Sequence, residues 1–314
     1  MLVTGGAGFI GSHLIEALVT LGAEVVAIDD LSRGSWSNLE EFGANVRQVT
    51  ASVLDADALH DATTGCAYVL HQAALGSVPL SLEQPILYHQ VNVLGTIHVL
   101  EAARLAGAQR VVFAASSSAY GNPPQEGAKV ETMPTLPLSP YAATKIAGEA
   151  AMRGWAHSYG VDTVSLRYFN IFGPRQDPNS AYAAVIAAFA KSMQAGQPGT
   201  IFGDGSQSRD FTFVANAVHA NLLAARCPQR IAGEPINIAV GQRITVGELH
   251  RRMAELYGLP ASEPHYRPPR RGDVLHSLAD TSKARRILGY EPLVDFSSGL
   301  EQTVRWYQRV LAGA

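Results

Sequence analysis

Hydrophobic residues in the first half of the chain fall into short runs that alternate with longer stretches of helical spacing. Several runs are apolar at every position, which is typical of parallel strands that are covered by helices on both faces. The predicted strands are Met1–Val3, Glu24–Ile28, Val46–Thr50, Tyr68–His71, Arg110–Ala115 and Thr163–Tyr168. Regular alternation of strands with helices predicts an α/β fold with a doubly wound parallel sheet.

The pattern changes after Tyr168, where loops rich in glycine and proline separate shorter helical segments. One further strand, Ile236–Val240, is expected to rejoin the sheet. We therefore predict a first domain over residues 1–168 with a returning segment at about 208–240. A smaller, discontinuous domain is expected to span mainly residues 169–314 and to pack over the C-terminal edge of the sheet.

Local signals predict where helices begin and end in the second half. Thr245–Glu248 and Ser298–Glu301 fit the capping-box pattern, in which a hydroxyl and a carboxylate bond the first free N–H groups of a helix. Gly289 fits the residue that ends a helix in a left-handed conformation. Helices are therefore expected to start near Thr245 and Ser298 and to stop near Gly289.

Composition narrows the class of protein. The chain has 314 residues, 47% of them hydrophobic, and a formal net charge of −3 without any basic block, so it has no footprint for nucleic acid or a membrane surface. Its two cysteines, Cys66 and Cys227, lie far apart, and neither a metal site nor a disulfide is expected. The longest apolar stretch, around Ala181–Ala190, is too short to span a bilayer, and a cytoplasmic protein is expected.

A glycine-rich turn follows the first predicted strand. Gly5, Gly8 and Gly11 lie between Val3 and a helix predicted at Ser12–Leu21. Glycines at this spacing permit a tight turn and close approach of the backbone to a pyrophosphate, and the helix N-terminus supplies N–H donors for the phosphates. The spacing is GxxGxxG rather than GxGxxG, and alone it also fits a plain strand–helix turn.

Asp29, at the end of the second predicted strand, strengthens the interpretation as a Rossmann dinucleotide site. It stands near the distance of about 20 residues at which an acid binds the adenosine ribose. A carboxylate there accepts hydrogen bonds from the ribose hydroxyls and repels a 2′-phosphate. The sequence therefore predicts NAD rather than NADP. Arg33 nearby would soften that preference, and a solvated loop charge is the alternative interpretation of this arginine.

Tyr141 and Lys145 share one face of a predicted helix that follows Pro140. We expect the lysine to lower the tyrosine pKa from its ordinary value near ~10, so that a phenolate serves as a general base. A serine run from Ser116 to Ser118 ends a predicted strand, where α/β sheets bind ligands. A surface Tyr/Lys pair and a polar loop are the alternatives when each motif is taken alone.

Taken together, these motifs resemble the extended short-chain dehydrogenase/reductase family over nearly the whole chain. Similar stretches are His71-Gln-Ala-Ala74, Asn92-Val-Leu-Gly-Thr96, Arg167-Tyr-Phe-Asn170, Gly173-Pro-Arg175 and Ser208-Arg-Asp-Phe211. The resemblance implies a catalytic set of Ser116, Tyr141 and Lys145. It also implies that Asn92 supports the active-site geometry, and that the cofactor-binding residues are Gly5, Gly8, Phe9, Ile10, Gly11, Asp29, Ser52, Val53, Ala73, Ala74, Asn92, Tyr141 and Lys145.

One stretch departs from the family pattern. Members often carry a Gly-Asp pair after the third strand, and its aspartate reaches the adenine amino group. This chain has Thr50-Ala-Ser-Val53 instead, so Ser52 is the residue expected to bind the adenine.

The residues after Ser116 indicate the reaction within this family. The sugar dehydratases that this family contains carry an Asp-Glu pair at this position. Its decarboxylases carry a Ser/Thr–Glu version of the motif. The chain has Ser117 and Ser118, which lack the acid and base that elimination needs. The resemblance therefore implies epimerisation at C4 of a nucleotide sugar, with NAD as the cofactor.

The nucleotide half of the substrate is expected in the second domain. Arg209 and Arg270 suit a diphosphate through the planar fork of the guanidinium. By the resemblance, Asn170 also contacts the diphosphate, Phe202 stacks on uracil and Asp273 meets the uridine ribose. A solvated loop is the alternative for Arg270.

Two features indicate the sugar. The stretch from Gly173 to Ile186 resembles UDP-N-acetylglucosamine 4-epimerases more than glucuronate epimerases. Ser277 aligns with a family position that is a tyrosine in enzymes restricted to UDP-glucose and UDP-galactose, and a small residue leaves room for an N-acetyl group.

Other interpretations stay open at this point. UDP-glucose or UDP-glucuronate is the alternative substrate, and a non-catalytic NAD-binding sensor is the alternative from another class, since a fold alone does not fix function. The family resemblance also suggests a homodimer through helices near Val91–Leu105 and Thr144–Tyr159.

Overall fold

The structure, a computed structural model, describes residues 1–42, 45–123, 127–178, 184–259, 263–269 and 274–312. Its strands are β1 (Leu2–Thr4), β2 (Val25–Asp29), β3 (Val46–Thr50), β4 (Tyr68–His71), β5 (Arg110–Ser116), β6 (Asp162–Tyr168), β7 (Ile171–Phe172), β8 (Thr200–Phe202), β9 (Ser208–Arg209), β10 (Thr212–Phe213), β11 (Pro235–Ile238), β12 (Ile244–Thr245) and β13 (His265–Arg267). The predicted strands of the first half are all present, with ends that differ by at most one residue.

The helices are α1 (Phe9–Thr20), α2 (Ala56–Thr63), α3 (Val78–Glu83), α4 (Pro85–His89), α5 (Gly95–Leu105), α6 (Pro140–Ser158), α7 (Val185–Gln194), α8 (Val214–Arg226), α9 (Val246–Leu256), α10 (Ser282–Leu288) and α11 (Phe296–Ala312). Gln90–Leu94 forms a π-helical turn that joins α4 to α5, and short 3₁₀ turns lie at Trp36–Leu39 and Ser117–Tyr120. The helix after the glycine turn begins at Phe9, three residues before the predicted start.

Seven strands form one parallel sheet in the order β11-β6-β5-β4-β1-β2-β3. β2 and β3 lie on one side of β1, and β4 and the later strands lie on the other side, so the strand order has a switch point between β1 and β4. Ligands bind at such a switch point, outside the carboxyl ends of the strands. β11 lies at the opposite edge from β3 and pairs with β6, so the predicted strand near 236–240 rejoins the sheet. The predicted fold class, a doubly wound sheet, is confirmed.

Separate apolar cores cover the two faces of the sheet. One contains Leu14, Ile15 and Leu18 of α1 together with alanines of α8, and the other contains side chains of α2, α5 and α6. A further core lies among α7, α9 and α11 and contains Phe172, Phe211 and other aromatic residues of the second half. Because Phe9 and Ile10 pack against that further core, the glycine turn lies between the sheet and the second half of the chain.

Two of the three predicted helix signals hold. Thr245 accepts a hydrogen bond from Glu248 N–H at 3.1 Å at the start of α9, and Gly289 ends α10 with φ +66°. The predicted start at Ser298 is wrong. The helix α11 begins at Phe296, and the Asp295 carboxylate accepts the Ser298 N–H at 2.9 Å, because this better acceptor lies three residues earlier.

Candidate active site

The glycine turn joins β1 to α1 at the switch point of the sheet. Gly5 has φ +66°, and its N–H donates to the Ile28 carbonyl at 2.8 Å. A Cβ atom on Gly11 would lie 2.0 Å from the Gly5 carbonyl oxygen, so the turn closes this tightly only with glycine there. The N-terminus of α1 therefore faces the crevice with free N–H groups, which suit the phosphates of a dinucleotide.

Asp29 stands at the carboxyl end of β2, beside the glycine turn. Its carboxylate accepts hydrogen bonds from Ala7 N–H at 3.0 Å and Leu31 N–H at 2.9 Å. Burial raises the pKa of Asp29, and these backbone bonds oppose that shift. The backbone thus fixes the predicted ribose-binding carboxylate at the edge of the crevice.

A cavity runs along the carboxyl ends of β1, β2 and β4, and we call it the dinucleotide cavity. The predicted cofactor residues that line it are Gly5, Gly8, Phe9, Ile10, Gly11, Asp29, Val53, Ala73 and Ala74. The glycines, the helix N-terminus and the carboxylate provide what a dinucleotide requires, so the residues present fit NAD.

Four residues predicted at the cofactor are not on the lining of this cavity: Ser52, Asn92, and Tyr141 with Lys145, which line a neighbouring cavity. The Ser52 hydroxyl accepts Leu54 N–H at 3.2 Å in the turn before α2, and its expected adenine contact stays a prediction. Asn92, on the π-helical turn, accepts Leu75 N–H at 2.8 Å and donates to Thr144 Oγ1 at 3.0 Å. Asn92 therefore ties the cavity wall to α6, a supporting position that a π-bulge creates.

The predicted catalytic residues converge although they come from two elements. β5 ends at Ser116, and α6 begins after Ser139, whose side chain caps it by accepting Ala142 N–H at 3.2 Å. Ser116, Tyr141 and Lys145 all line one cavity of about 430 Å³, which we call the reaction cavity and which is in the size range of small-molecule sites.

The Ser116 hydroxyl is oriented by its neighbour Ser118. Ser116 Oγ accepts hydrogen bonds from Ser118 N–H at 3.2 Å and from the Ser118 hydroxyl at 2.9 Å. A serine hydroxyl has two acceptor sites and one hydrogen to donate. Since both bonds use Ser116 as the acceptor, its own hydrogen remains to donate to Tyr141 or to an oxygen in the cavity.

The expected effect of Lys145 on Tyr141 is not what the structure shows. Burial raises the pKa of Tyr141, and the group that opposes this is Ser116 through a hydrogen bond. Lys145 Nζ donates to the Ala114 carbonyl at 2.8 Å and lies 5.9 Å from the centre of the Tyr141 ring. Burial also lowers the pKa of Lys145 to about 8, so both groups are shifted toward their neutral forms.

Three cavities follow one another through the cleft. The dinucleotide cavity and the reaction cavity share Phe9, Ile10 and Gln72 in their walls. The reaction cavity shares Asn170 and Arg209 with an outer cavity lined mainly by apolar side chains. The catalytic set thus lies between a site for a dinucleotide and a site for a second elongated ligand.

The residues predicted to bind substrate are distributed along this path. Ser117, Ser118 and Ser277 line the reaction cavity, Phe202 lines the outer cavity, and Asn170 and Arg209 line both. Ser277 is 3% exposed, and its hydroxyl has no hydrogen-bond partner among the described residues. The predicted contacts of Arg270 and Asp273 lie outside the described residues.

Several cavity residues were not predicted from the sequence. Gln72 and Tyr168 line the reaction cavity, where the Tyr168 hydroxyl donates to Gln72 Oε1 at 3.3 Å. Arg175 and Asp177 line the dinucleotide cavity, and Gln176 between them lines the reaction cavity. The signal that pointed to this segment was the Gly173-Pro-Arg175 stretch, without roles for its side chains.

Two further observations concern the described part of the chain. It contains no group of three histidine, cysteine or carboxylate side chains that could hold a metal ion. None of its helices combines the length and apolar character needed to cross a membrane.

Comparison with known proteins identifies the family. Residues 1–239 match the NAD dependent epimerase/dehydratase family. A UDP-glucose 4-epimerase of Mycolicibacterium smegmatis is 40% identical over 316 residues, which cover 98% of each chain. The solved UDP-glucose 4-epimerase of Thermotoga maritima with UDP-glucose is 37% identical, with a TM-score of 0.93 over 99% of both chains. A UDP-N-acetylglucosamine 4-epimerase of Methanobrevibacter ruminantium M1, in complex with UDP-N-acetylmuramic acid, is 38% identical, with a TM-score of 0.92 over 98% of both chains.

The chain belongs to the NAD dependent epimerase/dehydratase family. The predictions of an NAD-dependent enzyme and of its Rossmann sheet are confirmed. The names of the similar proteins agree with the predicted reaction, a 4-epimerisation of a UDP-sugar, and they differ in the sugar.

Proposed function

We propose that this enzyme interconverts UDP-N-acetylglucosamine and UDP-N-acetylgalactosamine by transient oxidation at C4 of the sugar. Support for 4-epimerisation comes from the catalytic set between the two ligand cavities and from the names of similar proteins. The observation that supports an acetylated sugar as the substrate is Ser277, a small buried residue with an unpartnered hydroxyl in the reaction cavity.

In the proposed reaction Tyr141 takes the proton of the 4-hydroxyl group. Ser116 donates a hydrogen bond that stabilises the phenolate and then the oxygen at C4. Hydride transfer from C4 and back to it is the chemistry that NAD supplies when bound. Lys145, four residues after Tyr141 on α6, adds positive charge to the reaction cavity. Tyr141 returns its proton when C4 is reduced, so the residues end each cycle as they began.

Inversion at C4 requires the oxidised sugar to present its other face while the nucleotide stays in place. Asn170 and Arg209 lie where the reaction and outer cavities meet, which suits the diphosphate. Phe202 lines the outer cavity, which supports its proposed stacking on uracil. Anchoring at this end leaves the sugar free to turn about its bonds to the diphosphate.

The residues beside Ser116 favour epimerisation over elimination. Ser117 and Ser118 both line the reaction cavity, and the Ser118 hydroxyl is engaged with Ser116. Neither side chain has the proton affinity to remove a carbon-bound proton or the acidity to expel a hydroxyl group. At Ser117 and Ser118 the oxidised sugar therefore meets neither an acid nor a base that would drive loss of water.

The acetyl group requires room at Ser277. A tyrosine at this position would fill part of the reaction cavity, because interiors are close-packed and the residue is buried. The unpartnered Ser277 hydroxyl offers a hydrogen bond to the amide of an N-acetyl group, which would satisfy an otherwise costly buried polar atom.

The experiment is to incubate the purified enzyme separately with UDP-N-acetylglucosamine, UDP-glucose and UDP-glucuronate and to resolve the C4 epimers by NMR. We expect turnover of the acetylated sugar, and a loss of roughly 100-fold for that sugar in Ser277→Tyr with UDP-glucose turnover retained. Exclusive turnover of UDP-glucuronate would reject the proposed substrate.

UDP-glucose is the second candidate, because the M. smegmatis and T. maritima proteins carry its name and a roomy cavity also admits an unacetylated sugar. A sensor without catalysis is disfavoured by the convergence of Ser116, Tyr141 and Lys145. Retention of NAD without turnover of any of the three sugars would support the sensor.

We also propose that the enzyme is a homodimer, as its family resemblance suggests, and that its two functional units follow the predicted boundaries at residues 168 and 208–240. The predicted dimer helices carry exposed apolar side chains, including Leu94 and Leu105. Light scattering after gel filtration should give twice the mass of one chain, and a monomeric mass would reject the dimer.

A further inference from the structure

The segment Gly173–Asp177 crosses from the second half of the chain to the first helix of the sheet. The Pro174 carbonyl accepts a hydrogen bond from His13 Nε2 at 3.0 Å. The Arg175 guanidinium donates to Glu16 Oε2 at 2.6 Å and to Ser12 Oγ at 3.4 Å. Three polar residues on the first turns of α1, Ser12, His13 and Glu16, are thus joined to one short segment, and we call these contacts the α1 clasp.

Arg175 adopts a backbone conformation that a side chain normally avoids. Its φ is +66°, in the left-handed region where residues other than glycine are uncommon. Its side chain is only 18% exposed, and its partner Glu16 is 40% exposed. A short, partly buried ion pair on a disfavoured backbone indicates that the position of the guanidinium matters more than local backbone preference.

The same segment forms part of two cavity walls. Arg175 and Asp177 line the dinucleotide cavity together with the N-terminus of α1, and Gln176 lines the reaction cavity. The Gln176 carbonyl is held from the other side by the Tyr307 hydroxyl at 2.6 Å. A ligand in the dinucleotide cavity therefore lies against a wall that is attached to α1 on one side and to α11 on the other.

We propose that the α1 clasp retains the dinucleotide, and that Arg175 is a positioning residue that sets how fast NAD leaves the enzyme. Opening of this wall requires the Arg175–Glu16 pair and the His13–Pro174 bond to break together, which slows release. Retention suits a reaction that restores its cofactor in every cycle, and this benefit rests on the proposed epimerisation. The effect of the clasp on NAD release does not depend on the sugar.

The test measures release of the dinucleotide without turnover. Enzyme loaded with fluorescent NADH is mixed with a large excess of NAD, and the loss of bound fluorescence gives the dissociation rate. Arg175→Ala should raise this rate roughly tenfold, as expected for loss of one charge-assisted hydrogen bond. Glu16→Gln should raise it in the same direction, and the double variant should add little, because both residues act through one contact.

Arg175→Gly distinguishes the contribution of the Arg175 side chain to NADH release from that of its backbone conformation. Glycine accepts φ +66° without strain, so a purely structural role of the turn predicts unchanged or slower release. The clasp predicts fast release in Arg175→Gly, as in Arg175→Ala. Arg251→Ala is the control, because it removes an exposed Arg–Glu pair of equal length, 2.6 Å, on α9.

The proposal is overturned if Arg175→Gly and Glu16→Gln release NADH within twofold of the unaltered enzyme. Should Arg175→Ala fail to fold, Glu16→Gln alone decides, since it leaves α1 and the Arg175 backbone intact. The sugar assays report separately on the proposed function. A slow-releasing enzyme without epimerase activity would reject the function and leave the clasp in place.

Discussion

Apart from the α1 clasp, the wall of the cleft that faces the dinucleotide is made mainly from turns that directly follow the strands. The wall that faces the sugar is assembled from distant segments. On the dinucleotide side, Gly5, Gly11 and Asp29 lie in the continuous segment from the end of β1 to the end of β2, where backbone geometry fixes them. On the sugar side, Asn170, Arg209 and Ser277 come from three separate segments, and Asn170 and Ser277 lie 107 positions apart in the sequence (277 − 170). The first wall is fixed by local conformation and the second by tertiary contacts.

This difference predicts which ligands a substitution in each wall affects. A change in the glycine turn alters a backbone cradle and weakens every ligand that depends on it. A change in the sugar wall alters the relative position of loops, so it affects substrate binding while the dinucleotide still binds. The catalytic set lies where the walls meet, and its variants should lose chemistry while keeping both ligands.

The largest effect is expected at this meeting point. Tyr141→Phe removes the hydroxyl that we propose as the general base, and it should lower kcat by about 10³-fold. NAD content after purification should stay normal, because the ring remains in the cavity wall. Product formation by NMR and cofactor content by chromatography check both statements. Turnover within tenfold of the unaltered enzyme would remove Tyr141 from its proposed role.

The next effect isolates the dinucleotide wall. Gly11→Ala places a Cβ 2.0 Å from the Gly5 carbonyl oxygen, and the turn must open to accept it. We expect NAD affinity to fall by roughly 100-fold, equivalent to about 2.7 kcal/mol, in isothermal titration. Gly154→Ala on α6 is the matched control, because a Cβ there meets no atom within 4 Å. Equal affinities in the two variants would mean that the turn does not set dinucleotide binding.

A smaller effect isolates the sugar wall through Asp210, which is completely buried. Its carboxylate accepts N–H bonds from Gly241 at 3.1 Å, after β11, and from Ala279 at 3.1 Å, two residues beyond Ser277. Asp210→Ala should loosen the segment that carries Ser277 and raise the KM for the UDP-sugar roughly tenfold. NAD affinity should change little.

The control for this prediction is Asp204→Ala, which removes an exposed carboxylate that accepts hydrogen bonds from the N–H and the hydroxyl of Ser206 in the same loop region. Because loss of buried hydrogen bonds also lowers stability, thermal unfolding of both variants is measured beside the kinetics. Equal losses of sugar and NAD affinity in Asp210→Ala would show that the two walls are not separable.

The comparison also shows which features were predictable from sequence. Strand positions followed from apolar runs, and the roles of Gly5, Gly11 and Asp29 followed from spacing, because each depends on residues close to it in the chain. The convergence of Ser116 with Tyr141 was expected only through resemblance to a family. Spacing alone does not specify that the carboxyl end of β5 faces the start of α6.

The errors have physical causes that spacing does not report. Tyr141 and Lys145 share a helix face, but burial dominates the pKa of both, and the Lys145 ammonium donates to Ala114. The Ser52 hydroxyl accepts Leu54 N–H in a local turn, and its adenine contact stays a prediction. Arg175 was missed because its partner Glu16 is distant in sequence, and because an arginine gives no sequence signal for a left-handed backbone conformation.

The smallest effect concerns the pH dependence of the chemistry. Burial raises the pKa of Tyr141, and the Ser116 hydrogen bond opposes that rise, so the phenolate forms at lower pH with Ser116 than without it. If the phenolate is the base, kcat/KM increases with pH as Tyr141 loses its proton. Ser116→Ala should therefore move the rising limb of the pH profile to higher pH, apart from any loss in maximal rate.

The position of that limb, rather than its height, is the quantity to compare. Ser117→Ala is the matched control, because it removes a neighbouring hydroxyl from the same cavity and leaves the pair of Ser116 and Tyr141 intact. Profiles are measured at saturating NAD between pH 6 and 10, and the limb of the control should coincide with that of the unaltered enzyme. A limb that stays in place in Ser116→Ala, or moves to lower pH, would show that Ser116 orients the sugar without stabilising the phenolate. The pKa of Tyr141 would then be set by burial without a contribution from Ser116.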